Sequence, residues 1–357
     1  MIACLWANAL YYPNTGGHLW MYLNWALGLR DCGFKVIWLE SVKSKAGIRE
    51  ALATLKGHLR PYGFADAIAL CPSGNDTSFD MIEDVISLEA ATEADILLDF
   101  AYSNYSDVVK RFRHSVLVDI DPGLTQTWIN DGLLVVAPHD HYFTIGENVG
   151  SSESVPHCGL IWHHVPPCVA LDWWKPTAAP NHSPYTTIAH WWAKRMGFLP
   201  YLHLPQDTSV TLELALCFGG EGEEHERAML QDWGWSIRNA RKVAPTTRHY
   251  QRYIQGSRGE FSCAKPAYVR LQNAWISDRT LCYLASGKPA LVQYTGPSRF
   301  LPDCEGLLRF RNPQEAIIAL AKAEANYDEH SRASRALAEE LFDARRVIRG
   351  LMERVFT

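Results

Sequence analysis

The chain has 357 residues, 47% of them hydrophobic and 20% charged, enough for two domains with buried cores. Its net charge of −5 gives no general pull toward DNA or an anionic membrane, so nucleic acid is not an expected partner. No apolar run reaches the ~18 residues of a membrane span, so an integral membrane protein is not expected. The start Met1–Asn8 lacks a basic flank and reads as a strand rather than a signal peptide.

Nine cysteines are scattered without a CxxC pair, which points to a reducing, cytoplasmic compartment. No cofactor is expected. His139, Asp140, His141, His157, His163 and His164 match no metal-ligand spacing, so no metal is expected either.

In the first half, strands are predicted at Ile2–Ala7, Phe34–Leu39, Ala94–Phe100, Ser115–Ile120 and Tyr142–Ile145. Helices His18–Arg30 and Phe79–Ala91 fall between them, and Gly33 reads as the first helix's C-cap. Six prolines between Pro156 and Pro184 mark a joint.

The pattern then restarts with strands at Thr186–Trp192, Leu212–Phe218, Gly259–Ala264, Ala290–Tyr294 and Leu307–Phe310. Helices are predicted at Glu223–Trp233, Ser277–Ser286, Pro313–Tyr327, Ser331–Phe342 and Ala344–Val355. The expected class is α/β, with two Rossmann-like, doubly wound domains facing across a cleft. Their expected bounds are 1–175 and 176–340, with 341–357 a closing helix that can pack back on the N-terminal domain.

Between the first strand and helix, Tyr11–His18 carries Gly16 and Gly17, where backbone can approach an anion or a sugar hydroxyl. The spacing is not GxGxxG. His18 at its mouth is the candidate general base on an acceptor hydroxyl, and the plain alternative is a tight turn. Asp121, at the end of a strand, is the second candidate base. His139 and Asp140, after another apolar run, are candidates for the acceptor.

In the second half, Gly256–Lys265 sets Arg258, Gly259, Glu260 and Lys265 around a strand, a set suited to ribose and diphosphate. Ser277-Asp278-Arg279 opens a helix with an N-cap, an acidic first turn and a cation, a seat for phosphate. Gly287 ends that helix, and the next strand ends at Thr295-Gly296. Thirteen tryptophans are mostly core candidates, although Trp162, Trp173, Trp174, Trp191 and Trp192 crowd near the joint.

The segment Ser277–Gly296 resembles the nucleotide-binding half of GT-B glycosyltransferases: a helix ending Ala-Ser-Gly, a proline-led strand, then a glycine loop. More closely it resembles the bacterial group-1 branch related to spore-maturation glycosyltransferases, which carries Ser-x-Arg ahead of that helix. The resemblance implies a GT-B fold and a metal-independent, hexosyltransferase-like enzyme moving a sugar from a nucleotide-sugar donor to an unidentified acceptor. It also implies that Lys194 and Arg195, after the first strand of the second half, neutralise the leaving diphosphate.

The widely shared form of this helix carries two glutamates eight apart, and the equivalent positions here are Ala274 and Cys282. Glu260, Asp278 or Asp303 would have to take over their contacts. A sugar-nucleotide epimerase and a non-catalytic nucleotide- or glycan-binding protein are therefore the alternatives. Inversion would use His18, and retention has no single base.

Overall fold

The computed structural model describes residues 1–12, 15–42, 46–72, 82, 84–150, 155–180, 182–219 and 222–357. The chain divides into two compact units, Met1–Pro166 with Ala344–Thr357, and Pro167–Asp343. The border thus falls between Pro166 and Pro167, inside the proline-rich stretch, rather than at residue 175.

The first unit holds a seven-stranded sheet: β1 (Ile2–Ala7), β2 (Lys35–Val42), β3 (Ile68–Pro72), β4 (Ile96–Asp99), β5 (Ser115–Asp119), β6 (His141–Thr144) and β7 (Trp162–His164). Every pairing is parallel, in the order β3-β2-β1-β4-β5-β6-β7. Covered on both faces, these strands can be near-continuously apolar, and in β1 all residues after Ile2 are buried.

The second unit repeats the plan with β8 (Tyr185–His190), β9 (Leu212–Cys217), β10 (Ser236–Asn239), β11 (Gly259–Ser262), β12 (Ala290–Gln293) and β13 (Leu307–Phe310). Their order, β10-β9-β8-β11-β12-β13, is again wholly parallel. Leu214, Leu216, Phe261, Leu291 and Phe310 form its core, with the Phe261 and Phe310 rings stacked at 5.1 Å. In each sheet the chain winds outward in both directions from a central pair, β1/β4 or β8/β11. The crossovers leave a crevice at the carboxyl ends of that pair, where open α/β sheets bind ligands.

Three strands carry no sequence prediction: β3, β7 and β10. All three are sheet edges. All are short; β7 and β10 carry histidine or arginine in place of an apolar run, whereas β3 buries the apolar run Ile68–Cys71 and ends at Pro72. The strand predicted to run to Trp192 stops at His190, and Trp191 opens the helix Trp191–Phe198. Of the helix predicted at Phe79–Ala91 only Leu88–Thr92 is helical, with Ser87 as its N-cap. Residues 79–81 and 83 lie outside the described residues.

The closing helix Ala344–Val355 buries Val347, Ile348, Leu351, Met352 and Val355 at helical spacing. It packs within the first unit on the helix Gly16–Asp31. Gly28 is needed there, because a side chain would collide with Ala344 and Ile348.

Candidate functional site

In the second unit, the carboxyl ends of β8 and β11 bring together Lys194, Ser262, Cys263 and the loop ahead of the helix Asp278–Ala285. Lys194 lies one turn into the helix that follows β8, on the face turned toward β11. Its Nζ donates to the Cys263 carbonyl at 2.8 Å and stands 3.5 Å from Ser262 Oγ and 5.7 Å from the centre of the Trp275 ring. Burial, then repulsion from Arg279, pushes this lysine down to about 7, against the attraction of Glu260. Ser262, Cys263 and Trp275 also line a small pocket with Ile276, Ser277 and Thr280.

Arg279 sits beneath that pocket rather than in it. Its Nε donates to Glu260 Oε1 at 2.8 Å, Nη1 to the Ile188 carbonyl at 2.9 Å and Nη2 to Ser262 Oγ at 2.6 Å. One guanidinium thus ties β8, β11 and the helix together. The pair is buried, and Glu260 Oε2 has no hydrogen-bond partner among the described residues. With Lys194 and Arg279 set against the single carboxylate Glu260, one cationic charge is left over at the carboxyl edge.

The loop is held by backbone geometry. Gln272 and Ala274 adopt left-handed conformations, φ +50° and +55°, which side chains disfavour. Ala274 N donates to the Thr295 carbonyl at 2.9 Å, and Thr295 Oγ1 to the Trp275 carbonyl at 2.6 Å. Gly296, at φ +134°, lies so close to the Gln272 carbonyl that a Cβ would clash. Thr295 and Gly296 therefore clamp the loop. Ser277 caps the helix through Arg279 N at 3.3 Å, and Asp278 is half-buried in its first turn.

Three sequence candidates stand elsewhere. Arg258 and Gly259 lie at the amino end of β11, about 10 Å from Ser262 at the rise of a strand. Arg258 is held by Glu324 through two bonds of 2.9 and 3.0 Å and stacks on Tyr327, and Gly259 makes room for the Tyr185 ring. Both make their contacts at the amino end of the strand and not at its carboxyl edge. Arg195 is paired with Glu226 at 2.9 Å, which leaves Lys194 as the inward cation of the two. Lys265 caps the helix after β11, its Nζ 5.2 Å from the Tyr268 ring centre.

In the first unit, Gly16 and Gly17 open the helix after β1, and His18 follows in its first turn. His18 Nε2 donates to the Asn8 carbonyl at 2.7 Å, so the lone pair of the neutral ring falls on Nδ1. The ring lies between Tyr12 and Tyr22, at 5.0 and 5.2 Å. Pro13 and Asn14 of this loop lie outside the described residues. Asp121 is half-buried beyond β5, which lies two strands from β1 in the sheet.

The other two acceptor candidates are interior or misplaced. His139 is buried, its Nδ1 donating to the Ala137 carbonyl at 2.7 Å and its Nε2 3.3 Å from Asp99 Oδ2. Asp140 accepts from Ser115 N and Oγ at 2.7 and 2.8 Å, at the amino end of β5. His139 has no open face for an acceptor, and Asp140 lies at the opposite end of the sheet.

The whole chain matches an α-glucosyltransferase in complex with UDP and a 13-mer DNA, with TM-score 0.65 and 11% identity over 100% of both chains. Anabaena HepE in complex with UDP-glucose matches at TM-score 0.62 and 12% identity over 99% of each. Its complex with UDP matches at 0.60 and 10%, again over 99% of each. The chain has the GT-B fold. No family model and no curated protein matches the sequence.

Within this GT-B chain, sequence reasoning passed over two buried carboxylates. Glu40 in β2 accepts from Ala9 N at 3.0 Å, Leu10 N at 3.2 Å and Trp38 Nε1 at 2.8 Å, so it sets the start of the loop that leads to His18. Burial pushes it up to about 7 against those donors. Asp99, at the end of β4, binds Ala101 N at 2.7 Å and Ser103 N at 2.9 Å. The signal for both was a lone acid ending an apolar run.

Proposed function

We propose that the protein is a metal-independent glucosyltransferase that uses UDP-glucose. The observation that carries this is Lys194, a buried ammonium at the carboxyl edge of β11, in a chain matched end to end by UDP- and UDP-glucose-bound structures. The second unit holds the donor. Its diphosphate lies on Lys194 beside the start of the helix Asp278–Ala285, whose positive dipole end favours an anion.

In the reaction the bond from the anomeric carbon to the phosphate oxygen breaks, and the bonding electrons leave with UDP. Lys194 stabilises the charge that develops there. The acceptor oxygen bonds to the anomeric carbon and gives its proton to a general base, the role we assign to His18. Within the fold, Ser277-x-Arg279 supports placing the chain in the bacterial group-1, spore-maturation-like branch.

The acceptor is unassigned. The α-glucosyltransferase structure contains DNA, so the fold is compatible with a DNA partner, whereas a net charge of −5 gives this chain no pull toward one. Nine free thiols support a reducing, cytoplasmic compartment. Among the described residues, no helix is long and apolar enough to cross a membrane.

One observation favours a second reading, a non-catalytic sugar-nucleotide binder. Ala274 and Cys282 are both buried, and Cys282 Sγ bonds the Asp278 carbonyl at 3.4 Å. Asp278, half-buried, is the carboxylate at this helix start, so sugar and ribose hydroxyls fall to it. Titrating tryptophan fluorescence with UDP-, GDP- and TDP-glucose, then assaying UDP release across an acceptor panel, separates the readings. Saturable UDP-glucose binding with acceptor-dependent release is expected. Binding without turnover under any acceptor supports the second reading, and no binding to folded protein removes both.

A further inference from the structure

We propose that Arg279 and Glu260 are positioning residues for Lys194, acting through Ser262 to fix where its ammonium stands and how it is charged under a bound diphosphate. This rests on Lys194 being the diphosphate ligand.

The geometry is a chain of polar contacts, short at Arg279 and longer at its last step. Glu260 takes the Nε of Arg279 at 2.8 Å, Arg279 Nη2 donates to Ser262 Oγ at 2.6 Å, and the same oxygen stands 3.5 Å from Lys194 Nζ. The guanidinium spends its other terminal nitrogen on the Ile188 carbonyl at 2.9 Å. Arg279 is only 8% exposed, so it acts on a ligand through its neighbours. Replacing it disturbs the seat of Lys194 without removing a phosphate contact.

The groups facing Lys194 are few. Arg279 faces it from the helix, Glu260 and Cys263 from β11 and its end, and Lys265 from the next turn, with the Trp275 ring alongside. Burial is the main force against its charge, Arg279 adds to that, and Glu260 opposes it. The two members of the pair therefore push Lys194 in opposite directions.

The test is UDP-glucose affinity by calorimetry from about pH 6 to about pH 9. The diphosphate diester of UDP-glucose does not titrate in this window, so a change with pH reports the protein. Wild type is expected to bind roughly tenfold more weakly at about pH 8 than at about pH 6. In Glu260→Gln the fall should move to lower pH, and in Arg279→Gln to higher pH.

One common midpoint in all three proteins, even with weaker binding, overturns the proposal while leaving the donor site standing. No UDP-glucose binding by folded wild type at any pH removes the donor site and the proposal with it. Should Arg279→Gln fail to fold, Glu260→Gln, nearly identical in shape, decides the outcome alone.

Discussion

Arg279 Nε lies 2.8 Å from Glu260 Oε1, sealed beneath the carboxyl edge of the second sheet. A buried pair of this kind is costly to break from one side, because the survivor keeps its charge without compensation. Glu260→Ala should cost about 3–5 kcal/mol in urea unfolding. A loss below about 1 kcal/mol would mean that the guanidinium finds another partner.

Arg258 makes the opposite case. Its bridge to Glu324 is partly exposed and stands at the amino end of β11. Arg258→Ala should lower stability by about 1 kcal/mol and leave UDP-glucose affinity within about twofold of wild type. A large loss of affinity would return Arg258 to the donor site.

Two glycines separate packing from ligand geometry. In Gly259→Ala the new methyl meets the Tyr185 ring and the Pro289 carbonyl, so stability should fall by about 3 kcal/mol. In Gly296→Ala it meets the Gln272 carbonyl and forces the loop that shapes the pocket. Thermal melts and donor titrations on both should show the larger affinity loss, about tenfold, for Gly296→Ala.

Glu40 gives the first unit a pH signature. Its folded value, about 7, lies above the ordinary 4.5, so the stability it contributes is full below about 4.5 and is lost as pH rises through 7. Glu40→Gln should remove that slope from a stability–pH series. Glu40→Ala strands the amides of Ala9 and Leu10 and should speed their hydrogen exchange.

Central elements were legible because burial on both faces writes itself as an apolar run. The central strand Ile2–Ala7 matches its prediction residue for residue, and so do the edge strand Leu307–Phe310 and the closing helix Ala344–Val355. Edge strands such as Ser236–Asn239 lack that run and were silent.

For the site, composition brought Arg258 and Lys265 together as one cationic set. Only register reveals that seven residues of strand and turn carry them to opposite ends of β11. Lys194 and Arg195 look equivalent in sequence, and helical phase separates them by ~100°, sending one to Cys263 and the other to Glu226. The strained turn at Gln272 and Ala274 leaves no glycine as a sign, because both positions carry side chains in a left-handed backbone.

The most direct measurement is calorimetric titration of UDP-glucose into wild type and Lys194→Met at about pH 6.5, with melting curves for both. Wild type should bind saturably and Lys194→Met at least tenfold more weakly, with the melting temperature unchanged or raised because a buried charge is removed. Equal affinity in the two folded proteins would contradict Lys194 as the diphosphate ligand.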